Sequence, residues 1–274
     1  MNITFSSTFT LLQHEVALME GCLSIGLTAL RNATVSDKRK FYSGFFNTSI
    51  AFERLMKLIV VVDHMLSNNF DPPTKKQLKT YGHDLSQLYQ LSVDAANRNK
   101  ITGITMPIKG SIEEGILRFL SEFAKSSRYY NLNSLNSRSL QNVDPLIGWE
   151  EVINRVIEED VPEKKIKKQI DAAKLITDKI NDMTFTILHD MSGESLSTPQ
   201  ALNLPARQLL ASPHLMIRVF KILSPLIDIA SKLSHIGFYT KSRDGTSRHI
   251  PLFKETLVDY MLNDAEIKRK KRWP

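Results

Sequence analysis

Apolar residues recur at helical spacing through most of this chain. Leu11, Leu12, Val16, Met19, Leu23, Leu27 and Leu30 predict a helix over about 8–30. Phe41, Phe45, Ile50, Phe52, Leu55, Met56, Ile59, Val62 and Leu66 predict a longer one running to about Asn69, with Asp37 as its N-cap. Its apolar positions cover much of its circumference, so it is expected at the centre of the fold. Asp84 with Gln87, and Ser111 with Glu114, have capping-box spacing and open two further helices. Between them 97–110 reads as a loop. The Asn- and Ser-rich stretch 130–142 marks the candidate boundary between an N-terminal bundle, 1–130, and a second helical region, 144–274.

In the second region, Asp144-Pro145, Thr198-Pro199 and Ser212-Pro213 each place a capping residue before a proline, the signature of a helix start. A helix over 164–189 carries Ile166, Ile170, Ala173, Ile176, Ile180 and Met183 on one stripe, with Lys and Asp on the other face. The run 213–238 is amphipathic and suits core packing. After Gly237 the pattern changes to a short hairpin around Asp244-Gly245, followed by a last helix over about 251–270. No strand–helix alternation occurs, so the fold class is all-α, a helical bundle with at most one short C-terminal β-hairpin.

Composition places the chain among globular proteins, with 42% hydrophobic and 24% charged residues. The single cysteine, Cys22, excludes an internal disulfide, suits a reducing cytoplasm, and lies in an apolar run expected to bury it. No basic segment followed by an apolar core suggests a signal peptide. The run Leu58–Val62 is too short to span a bilayer, and Arg218, Lys221, Asp228 and Lys232 interrupt the longer apolar stretch, so no membrane role is expected. The net charge of +7 admits a polyanionic partner, and much of that excess sits in the tail 267–274.

Ala51-Phe-Glu-Arg-Leu-Met-Lys57 on a long helix, followed by Gly82-His-Asp-Leu85 opening another, resembles the HEPN superfamily of helical nucleotide- and nucleic-acid-associated domains. The resemblance covers about residues 8–127. It implies an intracellular prokaryotic protein that engages RNA or nucleotides in phage defence, toxin–antitoxin or stress systems, acting as a homodimer. Catalytic members carry Arg, four to six residues, then His, and cleave RNA without a metal. The resemblance implies an acid–base role for the His and a phosphate-binding role for the Arg. Two stretches here fit that spacing, Arg207 to His214 and Arg243 to His249, and neither lies in the segment that resembles the family. Of the two, Arg243 and His249 are the candidate catalytic pair, because Lys241, Ser242, Ser247 and Arg248 surround them in a polar turn.

The residues themselves also admit plainer roles. His83-Asp84 suits a helix cap, and Glu53 with Lys57 suits an i,i+4 pair. The tail Lys268-Arg269-Lys270-Lys271-Arg272 could track a phosphate backbone while Trp273 stacks on a base, or could be a solvated terminus. Arg128, before Tyr129 and Tyr130, is a further nucleic-acid-binding candidate. No zinc-type Cys spacing, Gly-rich phosphate loop or Gly-x-Ser-x-Gly elbow occurs, so no metal or cofactor is expected. His189-Asp190 is expected at a helix end. The competing expectation is a non-catalytic module that dimerises, scaffolds or masks a protein partner in the manner of an immunity protein.

Overall fold

A computed structural model describes residues 4–135, 144–180, 186–241 and 247–274. Helix α1 (Ser7–Arg31) is capped by Ser6, whose hydroxyl accepts from the Phe9 amide, and α2 (Arg39–Ser67) packs along it. Two glycines set how closely these helices approach. A Cβ on Gly26 would lie 2.6 Å from the Thr48 amide nitrogen, and one on Gly44 would lie 2.5 Å from a Leu30 methyl. At Gly26 only hydrogen fits against that backbone, and at Gly44 an added methyl would force the Leu30 side chain to move. Asp37 does not cap α2: its carboxylate accepts from Arg39, and Lys38 occupies the cap position without a side-chain bond.

Short α3 (Lys75–Thr80) is held by a Thr74–Gln77 capping box. Helices α4 (Leu85–Arg98) and α5 (Ile112–Lys125) begin at Asp84 and Ser111, whose side chains accept the expected N-terminal amides. The chain then turns through a 3-10 segment at Ser127–Tyr129 into α6 (Tyr130–Ser134). Helix α7 (Pro145–Asp160) starts at Asp144-Pro145 as expected, and α8 (Glu163–Ile180) follows Val161-Pro162.

Helix α9 (Thr198–Tyr239) departs most from expectation. Ser212-Pro213 does not start a helix; α9 runs through Pro205, Pro213 and Pro225. A proline inside a helix removes one backbone bond and crowds the preceding turn. Here burial outweighs that cost, because the helix packs against α1, α2, α4, α5, α7, α8 and the two short helices near the C-terminus. By length and composition α9 would suffice to cross a bilayer, yet 56% of that apolar window is buried in the fold.

Two expectations in the second region need correction. The stripe on α8 is only partly covered: Ala173 is buried and Ile166 and Ile180 half-buried, but Ile170 and Ile176 are exposed, and Met183 lies outside the described residues. His189-Asp190 does not end a helix. His189 bridges to Ser195, and Asp190 closes a turn in which its carboxylate accepts from the Ser192 and Glu194 amides.

The tip of the expected hairpin, 242–246, lies outside the described residues. Of its two arms, the first is not a strand, since Phe238 and Tyr239 end α9, and the second, β2 (Ser247–Arg248), pairs in parallel with β1 (Thr4–Phe5), so the described residues form no hairpin there. Two short helices, α10 (Lys254–Leu257) and α11 (Asp264–Arg269), replace the single last helix, and Asn263 caps the second.

Buried side chains from 1–130 and from 144–274 form one continuous cluster. Phe45 illustrates it, meeting Phe119 and Phe123 of α5 and Trp149 of α7 edge-on at 4.8–5.4 Å. Beside this core, Arg218 of α9 bonds Asp160 and Glu113 at 2.6–3.0 Å.

Candidate functional site

Glu53 and His83, from two segments far apart in sequence, line one cleft. Glu53 of α2 accepts from Lys57 one turn along, at 2.7 Å, and lies 2.9 Å from Nδ1 of His83. An ionised carboxylate can only accept, so His83 holds its Nδ1 proton toward Glu53 and leaves Nε2 for a ligand. The His83 side chain is 71% exposed and has no other partner among the described residues. Next to it, Asp84 does two jobs. Its carboxylate caps α4 through the Ser86 and Gln87 amides, and it accepts from Ser121 and Lys125 of α5. Burial alone would raise the Asp84 carboxyl, but the bonds from Lys125, Gln87 and Ser121 outweigh it and hold it below the usual carboxylate range.

Lys125 and Arg128 complete this cleft of about 230 Å³, whose apolar wall is Phe46, Ile50 and Phe123. The Arg128 guanidinium sits 5.2 Å over the Tyr129 ring and forms no ion pair among the described residues. The arrangement offers an unpaired guanidinium, an imidazole with a free nitrogen and a patch of exposed aromatic surface. Glu53, His83 and Arg128 lie in three separate stretches of the sequence. Their meeting depends on α2, α4 and the segment after α5 packing together, and no local spacing reports that.

The tail is placed differently from expectation. Trp273 is buried at 5% exposure, lies against Phe220 of α9 at 6.0 Å, and cannot stack on a base without leaving the core. Its backbone is tied to α1: the Trp273 amide donates to Thr28 Oγ1 at 3.0 Å and its carbonyl accepts from Ser24 Oγ at 3.2 Å. Arg31 donates to the Lys268 carbonyl, and Asn32 to that of Lys271. The backbone is therefore held while the side chains of Lys268, Arg269, Lys271 and Arg272 stay exposed and that of Lys270 half-exposed. None of the five pairs with a carboxylate among the described residues. Lys271 and Arg272 line a groove of about 660 Å³ that also meets Lys40.

Of the candidate catalytic pair, Arg243 lies outside the described residues. His249 is half-buried, its ring stacked on Phe70 at 5.1 Å. Arg248 lies over Phe238 instead of opening to solvent. Arg207 and His214 sit two turns apart on α9; burial pushes the His214 imidazole down, and Lys268 and Lys165 add to that. Cys22 is half-buried. The described residues contain no cluster of three or more metal-ligating side chains.

Comparison with protein-family models, with curated proteins and with solved structures finds no match.

Proposed function

We propose that this protein engages RNA through a basic surface built on its C-terminal segment, in keeping with the nucleotide- and RNA-associated role and cytoplasmic setting that the HEPN resemblance implies. One observation carries the reading: five consecutive cations, Lys268 to Arg272, have no acidic partner among the described residues while their backbone is hydrogen-bonded to α1. Cations held this way lose little further backbone entropy on binding phosphates, and counterion release favours the complex. The test is retention of labelled tRNA and mixed cellular RNA as salt is raised. Binding that weakens with salt, and whose salt slope shrinks in Lys268→Ala/Lys271→Ala, supports the reading. Indifference to that change removes it.

On the same reading, cleavage without a metal would fall to Arg243 and His249. Chelator-treated protein should then cut RNA to leave a cyclic phosphate, and Arg243→Ala/His249→Ala should abolish the cut.

A second reading, a homodimeric scaffold for a protein partner, is favoured by α1. Leu11, Leu18 and Ile25 recur every seven residues along one face at 54–67% exposure. Such a stripe is spaced to meet another helix. A dimer that Leu18→Asp converts to monomer, with no RNA retained, would favour this reading over the first.

A further inference from the structure

We infer that the cleft at Glu53, His83 and Arg128 is a site for a phosphomonoester, taken either from a free nucleoside monophosphate or from the phosphorylated 5′ end of an RNA strand. This concerns a different surface from the C-terminal cations and deepens the RNA reading.

Lys57 and Lys125 are each satisfied by a carboxylate, Glu53 and Asp84. Arg128 is not, and its guanidinium offers two parallel donors of the kind that match phosphate oxygens. His83 supplies a second donor when protonated, its ring fixed from behind by Glu53 at 2.9 Å. A phosphomonoester carries about −1.5 to −2 charge at pH 7, against −1 for an internal phosphodiester, so it gains more from this pair.

Size selects further. At about 230 Å³ the cleft is smaller than ordinary ligand pockets, which begin at roughly 300 Å³. That volume is of the order of a phosphate and the one ring that follows it. The exposed edge of Phe46, set upright on Phe123 at 5.1 Å and 89°, provides the apolar wall for that ring. A terminal phosphate meets each of these conditions.

The experiment is titration of the full chain with one RNA decamer bearing either a 5′-phosphate or a 5′-hydroxyl, alongside AMP and adenosine. Tighter binding of the 5′-phosphorylated decamer by tenfold or more, erased in Arg128→Ala and in His83→Ala, assigns the site to strand ends. AMP bound in preference to adenosine, with the same dependence on Arg128 and His83, assigns it to free nucleotide. Equal binding within both pairs overturns the inference, as does a phosphate preference that survives both substitutions. Both side chains are exposed, so the variants should keep the thermal transition of the parent. Lys268→Ala/Lys271→Ala separates the two surfaces. It should weaken both decamers equally and leave AMP unchanged; loss of AMP binding in that variant overturns the cleft assignment, while the RNA reading stands.

Discussion

Arg31 and Ser212 hold each other twice. Arg31 Nη1 donates to the Ser212 hydroxyl at 3.1 Å, and that hydroxyl donates to the Arg31 carbonyl. The pair is buried and joins the end of α1 to the middle of α9, beside Pro213. Ser212→Ala leaves a buried guanidinium nitrogen and a helix-terminal carbonyl without this partner. It should cost about 2 kcal/mol in urea unfolding, within the range for orphaned buried polar groups.

Trp273 anchors the basic tail. Trp273→Ala should destabilise the fold by about 3 kcal/mol, as deletion of a buried indole does. It should also expose Lys270, Lys271 and Arg272 to trypsin, which the parent resists at the same protease ratio. RNA affinity should fall although every cation is retained, because the backbone that displays them is no longer held. Unchanged affinity would show that a free tail suffices.

The Arg218 cluster gives the fold an acid-sensitive element. Burial alone would raise the carboxyls of Glu113 and Asp160, yet hydrogen bonds and charge from Arg218 hold both below the usual range. Groups depressed in the folded state contribute stability above their unfolded pKa of about 4, and that stability is lost as pH falls through the folded pKa values. Arg218→Leu should cost about 3 kcal/mol near neutrality, since it strands Asp160 and leaves Glu113 only the longer pair to Lys221. It should also flatten the fall in stability below about pH 4. Urea midpoints measured at pH 7 and in that acid range check both.

The α1–α2 crossing tolerates no added methyl at Gly26. Gly26→Ala puts Cβ against the Thr48 backbone, which cannot rotate away, and should cost about 2 kcal/mol despite alanine's better helix propensity. At Gly21 the added Cβ meets nothing within 4 Å, so Gly21→Ala should stabilise the helix by about 0.5–1 kcal/mol. Thermal melts of the two variants should shift in opposite directions.

The helices legible from sequence were those whose signals are local. Asp84, Ser111 and Asp144 bond amides two or three residues away, and the apolar stripes of α1 and α2 follow a single period. The same locality misleads at Ser212-Pro213, where a cap-then-proline signature sits inside a helix sustained by its packing. It misleads again on α8, where the neighbours leave Ile170 and Ile176 of the apolar stripe exposed. The tail's burial was illegible because Trp273 finds its partners on α1, across a separation of 245 residues from Thr28. In the cleft, Glu53 and His83 are 30 residues apart, and both were noticed for other reasons. Their contact required the tertiary fold.

The sewing of the tail to α1 bears on how the protein is made. Ser24, Thr28, Arg31 and Asn32 leave the ribosome well before their partners at Lys268, Lys271 and Trp273, which follow 237–249 residues later. At a translation speed of about 5–20 residues per second, α1 waits on the order of ten seconds or more with one flank uncovered. Closing so long a loop is also slow relative to local pairing. During that interval water must stand in for the tail's backbone groups along this flank of α1.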